Sequence, residues 1–357
     1  MTLASPPGSR RLILVGLGNV GRSFLRVLES QAPLLRERYG REFIVVGAAD
    51  SAGTAFDPGG LDAGAVLEAK ERGDSVASLP VVGHPGMSGL DLIRSVPADA
   101  VLESTPVDLR TGQPGLDLVR AALRHGVPVV LANKGPLALA YAELAALSDL
   151  ADSARPALRF SACVGGAMPT INLGLRDLAG ARILRVEAVL NGTTQHILRA
   201  MEQGRGYSEV LADAKRRGLT ETDPSLDVEG WDAASKLVIV ANAVLRQPAT
   251  LADVEVAGID RVTPELVRDA ARRGERIVLL CLAEPAGDNT GSFRLSVRPT
   301  ALPLDHPLAR MDGDEMGVVY HTDIAGRASA TSQERDPVPT AAAMLRDLLE
   351  IVGPPLA

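Results

Sequence analysis

The sequence predicts an α/β fold in two parts: an N-terminal parallel sheet wound with helices, then a region of α+β character. Three observations predict it. The 357 residues exceed what one small core holds and suit two domains. Over residues 1–150, short continuous apolar runs alternate with helical periodicity, the pattern of a parallel sheet covered on both faces. After about residue 150 that alternation gives way to strand-like segments mixed with longer helices.

Taken in order, residues 1–10 read as a short disordered lead and 12–15 (LILV) as a buried strand ending in glycines. Residues 21–29 follow as a helix with Phe24, Leu25 and Leu28 on one face, and 31–41 as a long connection. A second strand covers 43–49. Residues 51–64, rich in Gly, Asp, Pro and Ser, read as a loop, and a short helix begins at 67–70. A third strand is expected at 100–103, a loop at 104–114, a helix at 116–125 stopped by Gly126, and a strand at 127–131 closed by a turn at 133–136. Beyond it, strands are expected at 158–163, 181–190, 277–283, 293–300 and 318–321, and helices at 169–178, 197–203, 208–217 and 230–244. A polar stretch at 329–339 separates them from a last helix at 340–351.

Composition excludes several classes. Hydrophobic residues at 46% and charged residues at 23% are ordinary for a soluble protein, and 3% aromatics leave Ala, Val and Leu to build the core. A net charge of -7 argues against nucleic-acid binding, which needs an excess of Lys and Arg. Two cysteines, Cys163 and Cys281, make no disulfide framework and point to a reducing, cytoplasmic setting. The first residues lack a signal-peptide core, and no apolar run reaches the roughly 18 residues of a membrane span.

Gly16-Leu17-Gly18-Asn19-Val20-Gly21 lies between a predicted strand and a predicted helix. In the G-x-G-x-x-G pattern the first glycine allows a tight turn, the second lets a diphosphate approach the backbone, and the third packs the helix on the sheet. The helix N-terminus adds free N–H groups and a positive dipole end. The expectation is a Rossmann dinucleotide-binding domain. Asp50 closes the second strand, where an acid binds the ribose hydroxyls of NAD, while Arg22 is the residue that could meet a 2′-phosphate, so NAD and NADP both stay open.

A second constellation lies in residues 218–236, GLTETDPSLDVEGWDAASK. Asp232 and Lys236 are spaced i,i+4 on a predicted helix whose other residues are mostly apolar. A pair on such a helix is buried rather than solvated, and buried charges are costly to keep. Lys134 follows a strand directly, at the end that faces the ligand crevice of a doubly wound sheet. Two lysines and several carboxylates suit hydride chemistry on a substrate bearing both ammonium and carboxylate groups.

With these residues the chain resembles the homoserine dehydrogenase family. The matching segments are 16–21, 133–136, 164–169 (VGGAMP), 191–194 (NGTT) and above all 221–236, and they span nearly the whole chain. The resemblance implies interconversion of L-homoserine and L-aspartate 4-semialdehyde, within threonine and methionine biosynthesis. It implies Lys236 as the proton donor and acceptor, Lys134 beside nicotinamide and substrate, and Asp232 holding Lys236. Glu221 would bind the substrate ammonium, with Asp227 nearby in the substrate site. The cofactor, NAD or NADP, would be held by Gly16, Gly18, Asn19, Val20, Gly21, Asp50, Ser104, Thr105, Lys134 and Gly218. Domain 1–150, completed by the helix at 338–357, would bind dinucleotide, and 151–337 would form the catalytic and dimerisation domain of a homodimer. A chain of this length is expected to be the monofunctional form, without a C-terminal regulatory domain.

Two departures accompany the resemblance. Ser161 stands where many members have a glutamate that helps bind a monovalent cation, leaving the backbone carbonyls of Val164 and Gly166 as the metal donors. Residues 332–339 replace the usual glycine-rich run before the last helix. Three rivals remain: a dehydrogenase for a related amino alcohol or aldehyde, a non-catalytic NAD(H)-sensing protein, and a thioester-forming dehydrogenase built on Cys163.

Overall fold

In the computed structural model, residues 8–216, 224–287 and 291–353 are described, and they divide into two units. The first comprises Met1–Cys163 with Asp336–Ala357, the second Val164–Arg335.

The first unit begins with β1, Ser9–Val15, which takes in Ser9 and Arg10 from the stretch expected to be a disordered lead: they pair with Glu42 and Phe43 across the sheet. Leu12 through Val15 are at most 4% exposed, as a strand covered on both faces requires. Helix α1, Asn19–Tyr39, runs on through the stretch expected to be a connection. Pro33 removes one backbone donor without ending the helix, Leu35 continues its buried face, and Gly40 at φ 58° closes it. Then come β2, Glu42–Asp50, and β3, Gly53–Phe56, which folds back antiparallel on β2 inside the expected loop. The reversal is local: the Ala52 N–H donates to Asp50 Oδ1 at 3.0 Å.

The remaining elements of this unit are α2, Ala63–Glu71, β4, Gly83–Pro85, α3, Gly89–Ser95, β5, Ala100–Glu103, α4, Gly115–Arg124, β6, Val129–Leu131, α5, Gly135–Ala146, and β7, Leu158–Arg159. Helices α3 and α5 were not expected. α3 is only seven residues long, but Ser88 and Asp91 close a capping box at its start. α5 starts on the Gly-Pro pair read as a turn, because proline is tolerated in a helix's first turn. The strand expected at 158–163 is two residues long and pairs with β6 in this sheet. The sheet order is β4-β3-β2-β1-β5-β6-β7, with β1, β2, β5, β6 and β7 parallel.

The second unit opens with α6, Thr170–Asn172, which widens into a π turn over Leu173–Asp177. It continues through β8, Ile183–Val189, α7, Gly192–Glu202, α8, Tyr207–Arg216, α9, Ser225–Val228, and α10, Trp231–Ala243. Then follow β9, Val254–Val256, α11, Pro264–Arg272, β10, Glu275–Pro285, β11, Phe293–Pro303, β12, Glu315–Thr322, and β13, Arg327–Gln333. The six strands order β13-β12-β8-β10-β11-β9, all antiparallel except β9 against β11. β13 falls in the stretch read as polar separator: its alternation of exposed and half-buried residues suits an edge strand. Val189, Val278, Leu280, Leu282 and Val319 form the centre of one core against Leu302, Leu308 and Met311.

The chain then returns to the first unit as α12, Val338–Ile351. Ala341, Met344 and Leu348 are buried there in one core with Leu12, Leu14, Phe24 and Leu102. Among the described residues no helix is long and apolar enough to cross a membrane.

Candidate active site

In the first unit, β1 lies between β2 and β5, so the strand order reverses there, the point at which an open α/β sheet binds its ligand, at the carboxyl ends of β1 and β5. The glycine turn occupies that point. Gly16 holds φ at 92°, and a Cβ there would run into the backbone of Ser104 and Thr105. A Cβ at Gly21 would collide with the Gly16 carbonyl. Gly18, the N-cap of α1, is exposed, and a Cβ there would meet nothing within 4 Å. The first and third glycines therefore serve close packing. The second leaves the start of α1, with Asn19 and Val20, open to an anion, and this fits a diphosphate. Ser104 ties the loop after β5 to the turn, its hydroxyl donating to the Gly16 carbonyl at 2.8 Å.

Asp50 is more engaged than its position suggested. Its Oδ2 accepts from Lys70 Nζ at 2.8 Å and from the Val76 N–H at 3.0 Å, its Oδ1 from Ser75 Oγ at 2.8 Å and the Ala52 N–H at 3.0 Å. A carboxylate offers about four lone-pair positions. Burial pushes its pKa up, but the bonds from Lys70, Ala52, Ser75 and Val76 outweigh burial and hold it below the ordinary value. Asp50 thus starts the β2–β3 turn and anchors α2. Arg22 lies alongside, donating to the Lys70 carbonyl at 3.4 Å and to Asn19 Oδ1 at 2.8 Å.

Lys134 is half-buried at the junction of β6 and α5. Its neighbour Asn133 is 2% exposed; its amide donates to Thr105 Oγ1 at 3.2 Å and the Pro106 carbonyl at 3.3 Å, and its Oδ1 accepts the Gly135 N–H at 3.0 Å.

In the second unit, α10 carries Asp232 in its first turn and Lys236 one turn on. Lys236 Nζ donates to Asp232 Oδ2 at 2.8 Å and to the Leu190 carbonyl at 2.6 Å, with the two side chains 14% and 11% exposed. An ammonium has three N–H groups, so two are directed by the protein and a third is left for another acceptor. Asn191, just after β8, completes the cluster. Its amide donates to Asp227 Oδ1 on α9 and to Asp232 Oδ2, both at 2.7 Å, while its Oδ1 caps α7 by accepting the Thr194 N–H at 2.8 Å. The shared donor offsets the repulsion between two neighbouring carboxylates. Cys281 lies near this cluster and is inert: burial pushes its thiol up to about 12, more than the nearby Lys236 charge lowers it. Cys163 is buried too, its thiol donating to the Leu131 carbonyl at 3.2 Å.

Val164, Gly165 and Gly166 are buried in a turn with left-handed glycines at φ 84° and 54°. Glu334 presses against Gly166, its Oε1 accepting the Ala167 N–H at 2.8 Å and Ser332 Oγ at 3.1 Å. The Ser161 N–H donates to Asp347 at 2.7 Å. Among the described residues no three or more His, Cys, Asp or Glu gather as a metal site. Gly218 and Glu221 lie outside the described residues.

The structure therefore brings Lys236, Asp232 and Asp227 together in the second unit, and Gly16–Gly21, Ser104, Thr105 and Lys134 to the strand ends of the first. Sequence reasoning assigned no role to Asn191 or Glu103. Asn191 was visible as part of the NGTT segment, but its two carboxylate partners are 36 and 41 residues away. Glu103 was visible only as an acid ending an apolar strand.

The homoserine dehydrogenase family model matches residues 169–349. The chain is 39% identical over 341 residues to the homoserine dehydrogenase of Methanocaldococcus jannaschii, covering 95% of this chain and 98% of that one. It is 33% identical over 342 residues to an NAD(+)-dependent homoserine dehydrogenase of Pseudomonas canavaninivorans, covering 96% of each. The solved structure of a putative homoserine dehydrogenase from Archaeoglobus fulgidus superposes with a TM-score of 0.84 at 32% identity, over 96% of this chain and 99% of that one. The glycine turn, the lysine–aspartate pair and these matches along almost the whole length have one reading: the chain belongs to the homoserine dehydrogenase family.

Proposed function

We infer that this chain is an NAD(P)-dependent homoserine dehydrogenase, interconverting L-homoserine and L-aspartate 4-semialdehyde in threonine and methionine biosynthesis. The observation that carries the reading is Lys236, held between Asp232 and the Leu190 carbonyl with one N–H to spare. The relative named as NAD(+)-dependent supports a nicotinamide dinucleotide. When bound, that cofactor takes or supplies the hydride at the substrate's C4.

Every other part belongs to the chain's own groups. The open start of α1, with Gly18, Asn19 and Val20, takes the diphosphate, Gly16 and Gly21 keep the turn tight, and Ser104, Thr105 and Gly218 line the cofactor. Asp50 orders the edge near the ribose through its four bonds. Lys236 holds the proton at the substrate oxygen, giving it in reduction and taking it in oxidation. Asp232 and Asn191 aim Lys236. Asp227 and Glu221 take the substrate ammonium, and Lys134 orients the reacting end. No step is assigned to a monovalent cation: the carbonyls of Val164 and Gly166 are its proposed donors, and Glu334 at that turn is already bonded to Ala167 and Ser332. A cytoplasmic homodimer, paired through the sheet of the second unit, is the proposed assembly.

The test follows reduced nicotinamide by its absorbance with L-homoserine, using NAD and NADP in parallel. Wild type turns over, and Lys236→Ala, still folded and still binding dinucleotide, loses about 10²–10⁴-fold in kcat, the span of general acid–base catalysis. Wild type without turnover in either direction sinks the assignment. Turnover unchanged in Lys236→Ala moves the proton to another group.

A further inference from the structure

Glu103 is a fully buried carboxyl that the proposed reaction leaves unused. It ends β5, after three apolar residues, Ala100, Val101 and Leu102, that are themselves 0% exposed. An acid there is not needed for packing, and burying one is costly unless it holds something. Its Oε1 accepts both the N–H of Thr105, at 2.8 Å, and the Thr105 hydroxyl. Its Oε2 is buried without a hydrogen-bond partner, and Gly115 at the start of α4 passes so closely that a Cβ there would stand 3.0 Å from it. Burial pushes the carboxyl up to about 7, against the Thr105 bonds and the nearby Asn133 amide, which favour the ionised form.

The next link is Asn133. Its amide donates to Thr105 Oγ1 and the Pro106 carbonyl, while its Oδ1 accepts the N–H of Gly135. A continuous path Glu103–Thr105–Asn133–Gly135 therefore runs from the loop after β5 to the turn that carries Lys134. Both segments lie at strand ends beside the glycine turn, and Gly16 packs on the backbone of Ser104 and Thr105.

We propose that Glu103 is a positioning residue: through Thr105 and Asn133 it holds the 104–106 loop and the Lys134 turn in the one arrangement that receives the dinucleotide. The proposal rests on the dehydrogenase reading above for its kinetic arm, but not for its binding arm. It makes Glu103 an acceptor that directs a loop, so the acceptor matters more than the charge.

The experiment uses the whole chain with Glu103→Gln, Glu103→Ala and Thr105→Val. Dinucleotide affinity is measured by calorimetric titration with NADPH and with NADH, and kcat and KM are measured for each substrate. Glu103→Gln keeps an oxygen facing Thr105 and binds dinucleotide within about twofold of wild type. Glu103→Ala frees the loop, so dinucleotide binds about tenfold more weakly and kcat falls about tenfold, while the KM for homoserine stays put. A residue serving only stability would lower the melting temperature and the active fraction without this split. Thr105→Val, which removes the hydroxyl donor, shows the same split in smaller measure, and Glu103→Ala added to it costs less than it does alone.

Unchanged dinucleotide affinity in Glu103→Ala overturns the proposal, as does Glu103→Gln being as impaired as Glu103→Ala. Should Glu103→Ala not fold, Thr105→Val decides: wild-type affinity there overturns it. Absence of turnover in wild type would instead sink the reaction, and the titrations would still read Glu103.

Discussion

Asn191 shows how much one neutral side chain can do. It is 4% exposed, and its amide hydrogens and its oxygen are all committed, two to carboxylates and one to a helix cap. Separating those duties gives a prediction. Asn191→Ser keeps an oxygen for the start of α7, so thermal stability falls little. It loses both carboxylate donors, so kcat/KM for homoserine falls about 10–100-fold, as expected for charge-assisted hydrogen bonds. A Ser variant at wild-type efficiency would mean that the carboxylates are held by other groups. The sequence makes Asp232 and Lys236 legible because they are neighbours on one helix. Asn191 was visible in the NGTT segment but its duty was not, because its carboxylate partners sit on α9 and α10, 36 and 41 residues further on.

Local elements divide in the same way. The turn at Gly16–Gly21 was readable in full, since strand, turn and helix are consecutive and each glycine's duty follows from backbone geometry. Its glycines are nevertheless unequal, and their substitutions should separate binding from stability. Gly21→Ala drives a Cβ into the Gly16 carbonyl and should cost roughly 1–3 kcal/mol in thermal or urea unfolding. Gly18→Ala meets empty space and should leave stability within about 0.5 kcal/mol, while weakening NADPH binding measured by titration. Equal effects on stability would contradict the open approach at Gly18. Where elements were misread, long-range packing was the cause. α1 crosses Pro33 because Leu35 continues its buried face, and β3 forms because β2 offers it an edge.

At the scale of the molecule, the C-terminal helix closes the first unit with a buried acid. Asp347 on α12 is 0% exposed and accepts the Ser161 N–H at 2.7 Å. Burial pushes its pKa up to about 6, with the Ser161 contacts and Arg346 lowering it and Glu350 raising it. The folded state then holds the proton more tightly than the unfolded one. Stability from this group is present below about pH 4 and is lost as pH rises through about 6. Asp347→Asn keeps an acceptor for Ser161 and carries no charge. Its melting temperature should therefore gain on wild type between pH 4 and pH 7, by an amount worth up to about 3 kcal/mol. Calorimetry at both pH values checks this, and a constant gap would show that Asp347 is ionised throughout.

The sequence by itself determined the parallel strands at the centre of the first unit, the glycine turn and the lysine–aspartate pair. Each is written in residues close enough along the chain for spacing to reveal it: runs of β-branched and leucine residues, glycines at fixed offsets, and charges four apart on one helix. Tertiary structure alone decided the rest. It brought Asp50 three donors from 20 to 26 residues further on, and gave Asp227 and Asp232 a common amide. It also laid Glu334 against Gly166. The physical reason is the same each time: a hydrogen bond or a buried contact depends on distance in space, and these partners lie tens to hundreds of residues apart in the chain.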